Sequence, residues 1–210
     1  MGRKTKITRE MILEAAYELL DESGIGAVAI KEIAKKLGCS TQPVSWQFGS
    51  MTELKAELYQ YSCMRLFSGM EEKMTGVDDA LVAFFVSGIC YISIACDHPN
   101  VFRFTSVDDP ARTIGVDVTD NSIFTHQFDS FAVEMITAQC NVPKEKVGRA
   151  VNDTVIYTHG LAVMMMFDNF RMPKEQACKM IFDMGMQQLT DIGIVTKNYS
   201  FKKIYKEICK

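Results

Sequence analysis

Residues 30–48 read IKEIAKKLGCSTQPVSWQF, and the fold turns on this stretch. Ile30, Ile33, Ala34 and Leu37 recur at the spacing of one helical face. Gly38 follows them, where a residue able to adopt the left-handed conformation stops a helix. Ser40 or Thr41 then caps a second helix carrying Pro43, Val44 and Phe48. Pro43 is tolerable there because first-turn amides have no intrahelical partner. Two short helices joined by a tight turn can set one helix as a brace and the next in a major groove. A plain helical bundle uses the same pattern, so the pattern alone leaves both readings open.

Upstream, Thr8 is an N-cap for a helix with Ile12, Ala15, Ala16, Leu19 and Leu20 on one face, ended by Ser23-Gly24-Ile25-Gly26. Downstream, helices are expected at 52–73, 78–96, 120–140, 144–170 and 174–195, with a short one around Val101, Phe102 and Phe104, a loop over 107–118 and a short helix in the basic tail. Pro143 and Pro173 stand near the starts of the last two long helices, where proline fits. The reading is an all-α chain of three parts: a three-helix head over 1–51, a larger helical domain over 52–196 and a tail over 197–210.

The bulk numbers agree with a soluble globular protein. The chain has 210 residues, 48% hydrophobic and 23% charged, with 5 Pro and 13 Gly. Its net charge is −3, but residues 1–55 hold 8 Lys/Arg against 7 acids, and Arg3, Lys4, Lys6 and Arg9 open the chain without an acid among them. A short basic arm on a near-neutral head permits phosphate contact. Seven cysteines without a C-x-x-C pair imply reduced thiols and a cytoplasmic setting, and the basic, amphipathic start is unlike a signal peptide. Residues 80–96 lack charge, at the lower edge of a membrane-spanning length, but Ser87, Gly88, Tyr91 and Ser93 favour a buried central helix. No membrane partner is expected.

Residues 8–54 resemble the DNA-binding head of the TetR/AcrR family of bacterial regulators. The resemblance rests on Ile12-Leu13, Ala15-Ala16, Leu19-Leu20, Gly24, Ile33-Ala34, Leu37-Gly38, Ser40, Phe48, Ser50 and Leu54. Farther on, His98-Pro99 with Phe102-Arg103, and His159-Gly160-Leu161, resemble recurring family phrases. Three positions depart: Ser45 stands where Tyr is usual, Met51 where Lys is usual, and Ala29 where Ser or Thr caps the brace helix.

The resemblance implies a homodimer that binds double-stranded operator DNA and responds to a small-molecule effector. The DNA-contact candidates are Lys31, Ser40, Thr41, Gln42, Pro43, Ser45, Trp46, Gln47 and Lys55. Gln42 matches adenine N6 and N7, Thr41 and Ser45 can meet base edges or phosphates, and Trp46 and Gln47 can lie along the backbone. A lysine at a helix start, such as Lys31, suits phosphate. Phe85, Tyr91, Phe102 and Phe131 are candidates for an apolar effector pocket, among Met- and Phe-rich helices that also serve as ordinary core. Leu161, Met164, Met165, Met180 and Met184 are candidates for the dimer interface.

Enzyme and metal motifs are missing from the sequence. There is no G-x-S-x-G, P-loop, G-x-G-x-x-G or H-E-x-x-H, and His98, His126 and His159 lack ligand spacing, so no cofactor or metal is expected. Two functions remain: a ligand-responsive repressor, and a helical interaction or sensor protein whose head binds DNA weakly.

Overall fold

The computed structural model describes residues 7–115, 127–167 and 169–208. The basic arm at Arg3, Lys4 and Lys6, the end of the 107–118 loop, His126 and Cys209 lie outside the described residues. Every element among those described is helical. The described residues divide into two compact units, those up to 65 with those from 98 to 115, and those from 66 to 97 with those from 127 onward.

The first unit begins with α1 (Arg9–Ser23), capped by the Thr8 hydroxyl, which accepts from the Met11 amide at 3.2 Å. Ile12, Leu13, Ala16 and Leu20 form its buried stripe. Gly24, at φ +79°, donates to the Leu20 carbonyl and ends it, and a 3₁₀ turn (Ile25–Ala27) leads on. Then come α2 (Ile30–Lys36), α3 (Thr41–Phe48) and α4 (Met51–Met74). Residues of α4 up to Arg65 pack with this unit, and those from Leu66 onward belong to the second.

A later segment completes the first unit. It comprises α6 (Pro99–Phe102), a π-helical turn (Arg103–Val107) and α7 (Pro110–Thr113). The one-turn helix α7 sits where a loop is expected from the sequence, because Asp109 accepts from the Ala111 amide and Pro110 takes the first position. Segment α6 packs against α1, and Asn100 donates to the Asp21 carbonyl at 2.9 Å. Tyr59 packs edge-on to Phe104 and donates to the Thr105 carbonyl.

The second unit is built around α5 (Ala80–Asp97), with α8 (Gln127–Cys140), α9 (Lys144–Met165), α10 (Lys174–Asp191) and α11 (Phe201–Ile208) against it. Helix α5 has the length and apolar character to cross a membrane, and it packs against four helices of its own unit, burying Leu81, Phe85, Val86 and Ile89 among others. Asp79 caps it through the amides of Leu81 and Val82. Burial would raise the Asp79 pKa, but hydrogen bonds from Tyr199, Gln139 and those amides outweigh it, so the net shift is downward. Tyr199 in turn is pushed up to about 12 by burial and by that carboxylate. At Gly185 of α10 an added Cβ would lie 2.7 Å from the Phe85 ring, so the lack of a side chain lets these helices meet closely.

Candidate nucleic-acid interface

The turn between α2 and α3 is built from backbone chemistry. Gly38 has φ +64°, and no atom lies near its missing Cβ, so conformation rather than space calls for glycine. The Cys39 amide bonds the Ala34 carbonyl at 2.9 Å and the Gly38 amide bonds the Lys35 carbonyl at 3.1 Å, which satisfies the last turn of α2. Ser40 is the extended N-cap residue of α3, and its hydroxyl makes no capping bond. Ala29 is the N-cap residue of α2 and has no capping atom to offer.

Helix α3 has two unlike faces. Val44 and Phe48 are buried, and α2 packs against α3 with Ile33 and Ala34 buried in turn. Thr41, Gln42, Ser45 and Trp46 are exposed, and Trp46 is 90% exposed. Burial follows the 3.6-residue period, so these four share the outward surface. Pro43 and Gln47 are half-buried, and the Gln47 amide donates to the Ile7 carbonyl at 3.3 Å, turning it into the unit.

The helix itself carries no charged residue. Lysines stand around it. Lys31 is exposed in the first turn of α2, Lys35 is 82% exposed, and Lys55 on α4 is half-buried. Lys36 is held by Glu18 at 2.9 Å and Glu22 at 3.0 Å, and its hydrogen bonds to them raise its pKa.

Arg9, counted with the basic arm in the sequence, points inward. Its guanidinium donates to the Gln47 carbonyl at the end of α3 and to both carboxylate oxygens of Glu57 on α4, the Nε contact being 2.7 Å. Glu53 lies 3.4 Å away, and the guanidinium sits 4.2 Å over the Phe48 ring. Arg9 therefore joins α1, the end of α3 and the start of α4. The clue in the sequence was Glu53 and Glu57, four apart on one face of α4. A second cluster ties α1 to α4: Arg65 lies 2.6 Å from Glu14, and Tyr61 donates to the same carboxylate. The Tyr61 hydrogen bond, then Arg65, hold the Glu14 carboxyl below its ordinary value.

The other candidate residues are dispersed. Phe85 is buried against Phe182, with ring centroids 4.7 Å apart, and Tyr91 bonds His159 Nδ1 at 2.8 Å, both in the second unit. Phe131 on α8 is 62% exposed. Phe102 is fully buried in the first unit. A hollow of about 280 Å³ lies between α9 and α10, lined by Lys146, Arg149, Asp153, Gln188 and Asp191, and it contains none of these aromatics. Leu161 is buried in its own unit, Met165, Met180 and Met184 are half-buried, and Met164 is exposed. Ile156 and Phe167 are exposed beside Met164, and the sequence reading of the interface left Ile156 out. Its i, i+8 relation to Met164 was the available signal. Among the described residues no group of three His, Cys, Asp or Glu is placed to hold a metal. Burial pushes the Cys63 thiol up to about 12, away from reactive thiolate chemistry.

Residues 12–58 match the family of bacterial regulatory proteins, tetR family. Over 66 residues the chain is 33% identical to the HTH-type transcriptional regulator AcrR of Shigella flexneri, covering 30% of this chain and 31% of that one. Over 105 residues it is 23% identical to the uncharacterized HTH-type transcriptional regulator YobS of Bacillus subtilis (strain 168), covering 49% and 53%. The chain thus spans about a third and about half of these relatives' lengths. A solved TetR-like transcriptional regulator from Rhodococcus sp. RHA1 superposes with TM-score 0.63 at 14% identity, over 90% of this chain and 98% of that one, which shows the fold. Residues 12–58 are thus similar to the bacterial regulatory proteins of the tetR family, and the chain has the helical fold of the TetR-like solved structure.

Proposed function

We propose that the protein is a dimeric, cytoplasmic DNA-binding transcription regulator, a repressor that leaves its operator when a small, largely apolar molecule binds the larger helical domain. It has no catalytic role in this reading. The outward face of α3, with Thr41, Gln42, Ser45 and Trp46 standing clear of a braced turn, is the observation that carries it. Residues 1–51 act as the DNA-binding head, with Lys31 and Lys55 on phosphates, and 52–196 as the effector and dimerisation domain. The second copy covers the stripe of Ile156, Gly160, Met164 and Phe167, which is exposed in the single subunit. Effector binding among residues such as Phe85 and Tyr91 shifts α4, which has residues in both units, and so changes the spacing of the two recognition helices.

The test is a titration of the full chain against duplex DNA from beside its own gene at several salt concentrations. Repressor-type binding gives affinity that falls steeply with salt and exceeds that for unrelated duplex. The uncharged α3 and the inward Gln47 favour a second reading, an interaction protein with a weakened head. Equal, feeble affinity for both duplexes would select it.

A further inference from the structure

We infer that the operator half-site is centred on A·T pairs, recognised by the amide of Gln42 and the apolar surfaces of Trp46 and Thr41, without any arginine or lysine at a base edge. This rests on the reading of α3 as the recognition helix. Guanine presents two acceptors to the major groove, O6 and N7, and the forked or multiple donors of Arg and Lys are their usual partners. No such residue exists on Thr41–Phe48. Among the described residues, two neighbouring cations are held in ion pairs, and Lys31, Lys35 and Lys55 stand on other helices. Arg9 is bound by Glu57, Glu53 and the Gln47 carbonyl, and Lys36 is bound by Glu18 and Glu22. Lys31 and Lys55 belong to α2 and α4, not to α3.

What α3 does present fits adenine and thymine. The Gln42 amide pairs one acceptor and one donor, the complement of adenine N6–H and N7. Trp46 is 90% exposed, an indole surface that folding leaves in water. Thymine is the base with an apolar group in the major groove, its C5 methyl, and covering that methyl removes both surfaces from water. Thr41, five residues earlier at the other edge of the exposed arc, adds a methyl of its own. Ser45 between them is small enough to let the indole approach.

The experiment is selection by the full chain from a pool of randomised duplexes at low salt, followed by titration of the selected site with single-group changes. The expected result is a half-site core of A·T pairs. Replacing a core thymine by deoxyuridine, which removes only the methyl, weakens binding about fourfold. Trp46→Ala abolishes the difference between the two bases. Gln42→Ala lowers affinity on the order of tenfold and stops discriminating adenine from 7-deazaadenine. A G·C core, or a site indifferent to the methyl, overturns the inference and leaves the DNA-binding reading standing. Absence of salt-dependent binding to any duplex overturns both. Trp46 and Gln42 are exposed, so neither variant disturbs the core, and unchanged circular dichroism verifies that.

Discussion

Helices α3 and α9 each bury one face and expose the other; the first half of α9 exposes Lys144, Glu145, Lys146, Arg149, Asn152 and Asp153, but its C-terminal half exposes a chemistry opposite to that of α3. On α3 the outward residues are two hydroxyls, an amide and one indole, in Thr41, Ser45, Gln42 and Trp46. On α9 they include Ile156, Gly160 and Met164, with Phe167 just past its end. Hydrogen-bonding groups suit a hydrated groove lined with donors and acceptors. An apolar stripe without them suits a dry protein surface, and its glycine permits close approach. The contrast is the basis for proposing nucleic acid as the partner of one face and a second subunit as the partner of the other, although both lie on amphipathic helices.

The largest effect should come from α9. Ile156→Glu with Met164→Glu would place carboxylates in a dry contact, where an unpaired charge costs several kcal/mol. Sedimentation should then find a monomer at concentrations where the parent is a dimer, with helix content unchanged. Persistence of the dimer would put the interface on another face. On α3, Gln42→Ala should cost about 1–3 kcal/mol of operator affinity without moving the thermal midpoint. A mobility-shift titration beside a melt checks both, and a lowered midpoint would mean that Gln42 supports the fold instead.

Two glycines sharpen the contrast between close packing and local conformation. Gly185→Ala sets a methyl 2.7 Å from the Phe85 ring in the second unit and should cost about 1–3 kcal/mol in thermal unfolding. Gly38→Ala meets no atom and is opposed by φ +64° alone, for about 1 kcal/mol. Equal losses would show that strain spreads beyond the turn. The smallest effect is acid-dependent. Glu14 has a lowered pKa when folded, so its contribution is present above its ordinary value of 4.5 and disappears as pH falls through the lowered one. Exposure of this carboxylate and Arg65 screens the pair and keeps the term small. Glu14→Gln should flatten stability against pH only below about 4.5. Above that pH the variant should differ from the parent by a constant amount, and an acid slope unchanged by the substitution would assign the acid limb to other groups.

Much of the head was legible because its signals are local. Thr8 caps α1, Gly38 ends α2 and Val44 and Phe48 are buried on α3, as periodicity and cap chemistry implied. Arg9 was not legible in this way. It was grouped with Arg3, Lys4 and Lys6 in a basic arm open to phosphate contact, but Glu53 and Glu57, far along the chain, draw it inward. Gln47 resembled a backbone contact, and the Ile7 carbonyl takes its amide. The aromatic candidates show the same limit. Phe85, Tyr91, Phe102 and Phe131 look alike as hydrophobic positions, but they end in a packed core, a histidine hydrogen bond, the other unit and solvent, respectively.

Cap residues, glycines and the 3.6-residue rhythm were enough to place helices and turns, since those depend on neighbours within about one turn. Which cation remains available for DNA, which aromatic is walled in, and which methionine faces outward depended on partners tens of residues away. Burial and ion pairing are properties of the packed surface, and that surface exists only once distant segments have met.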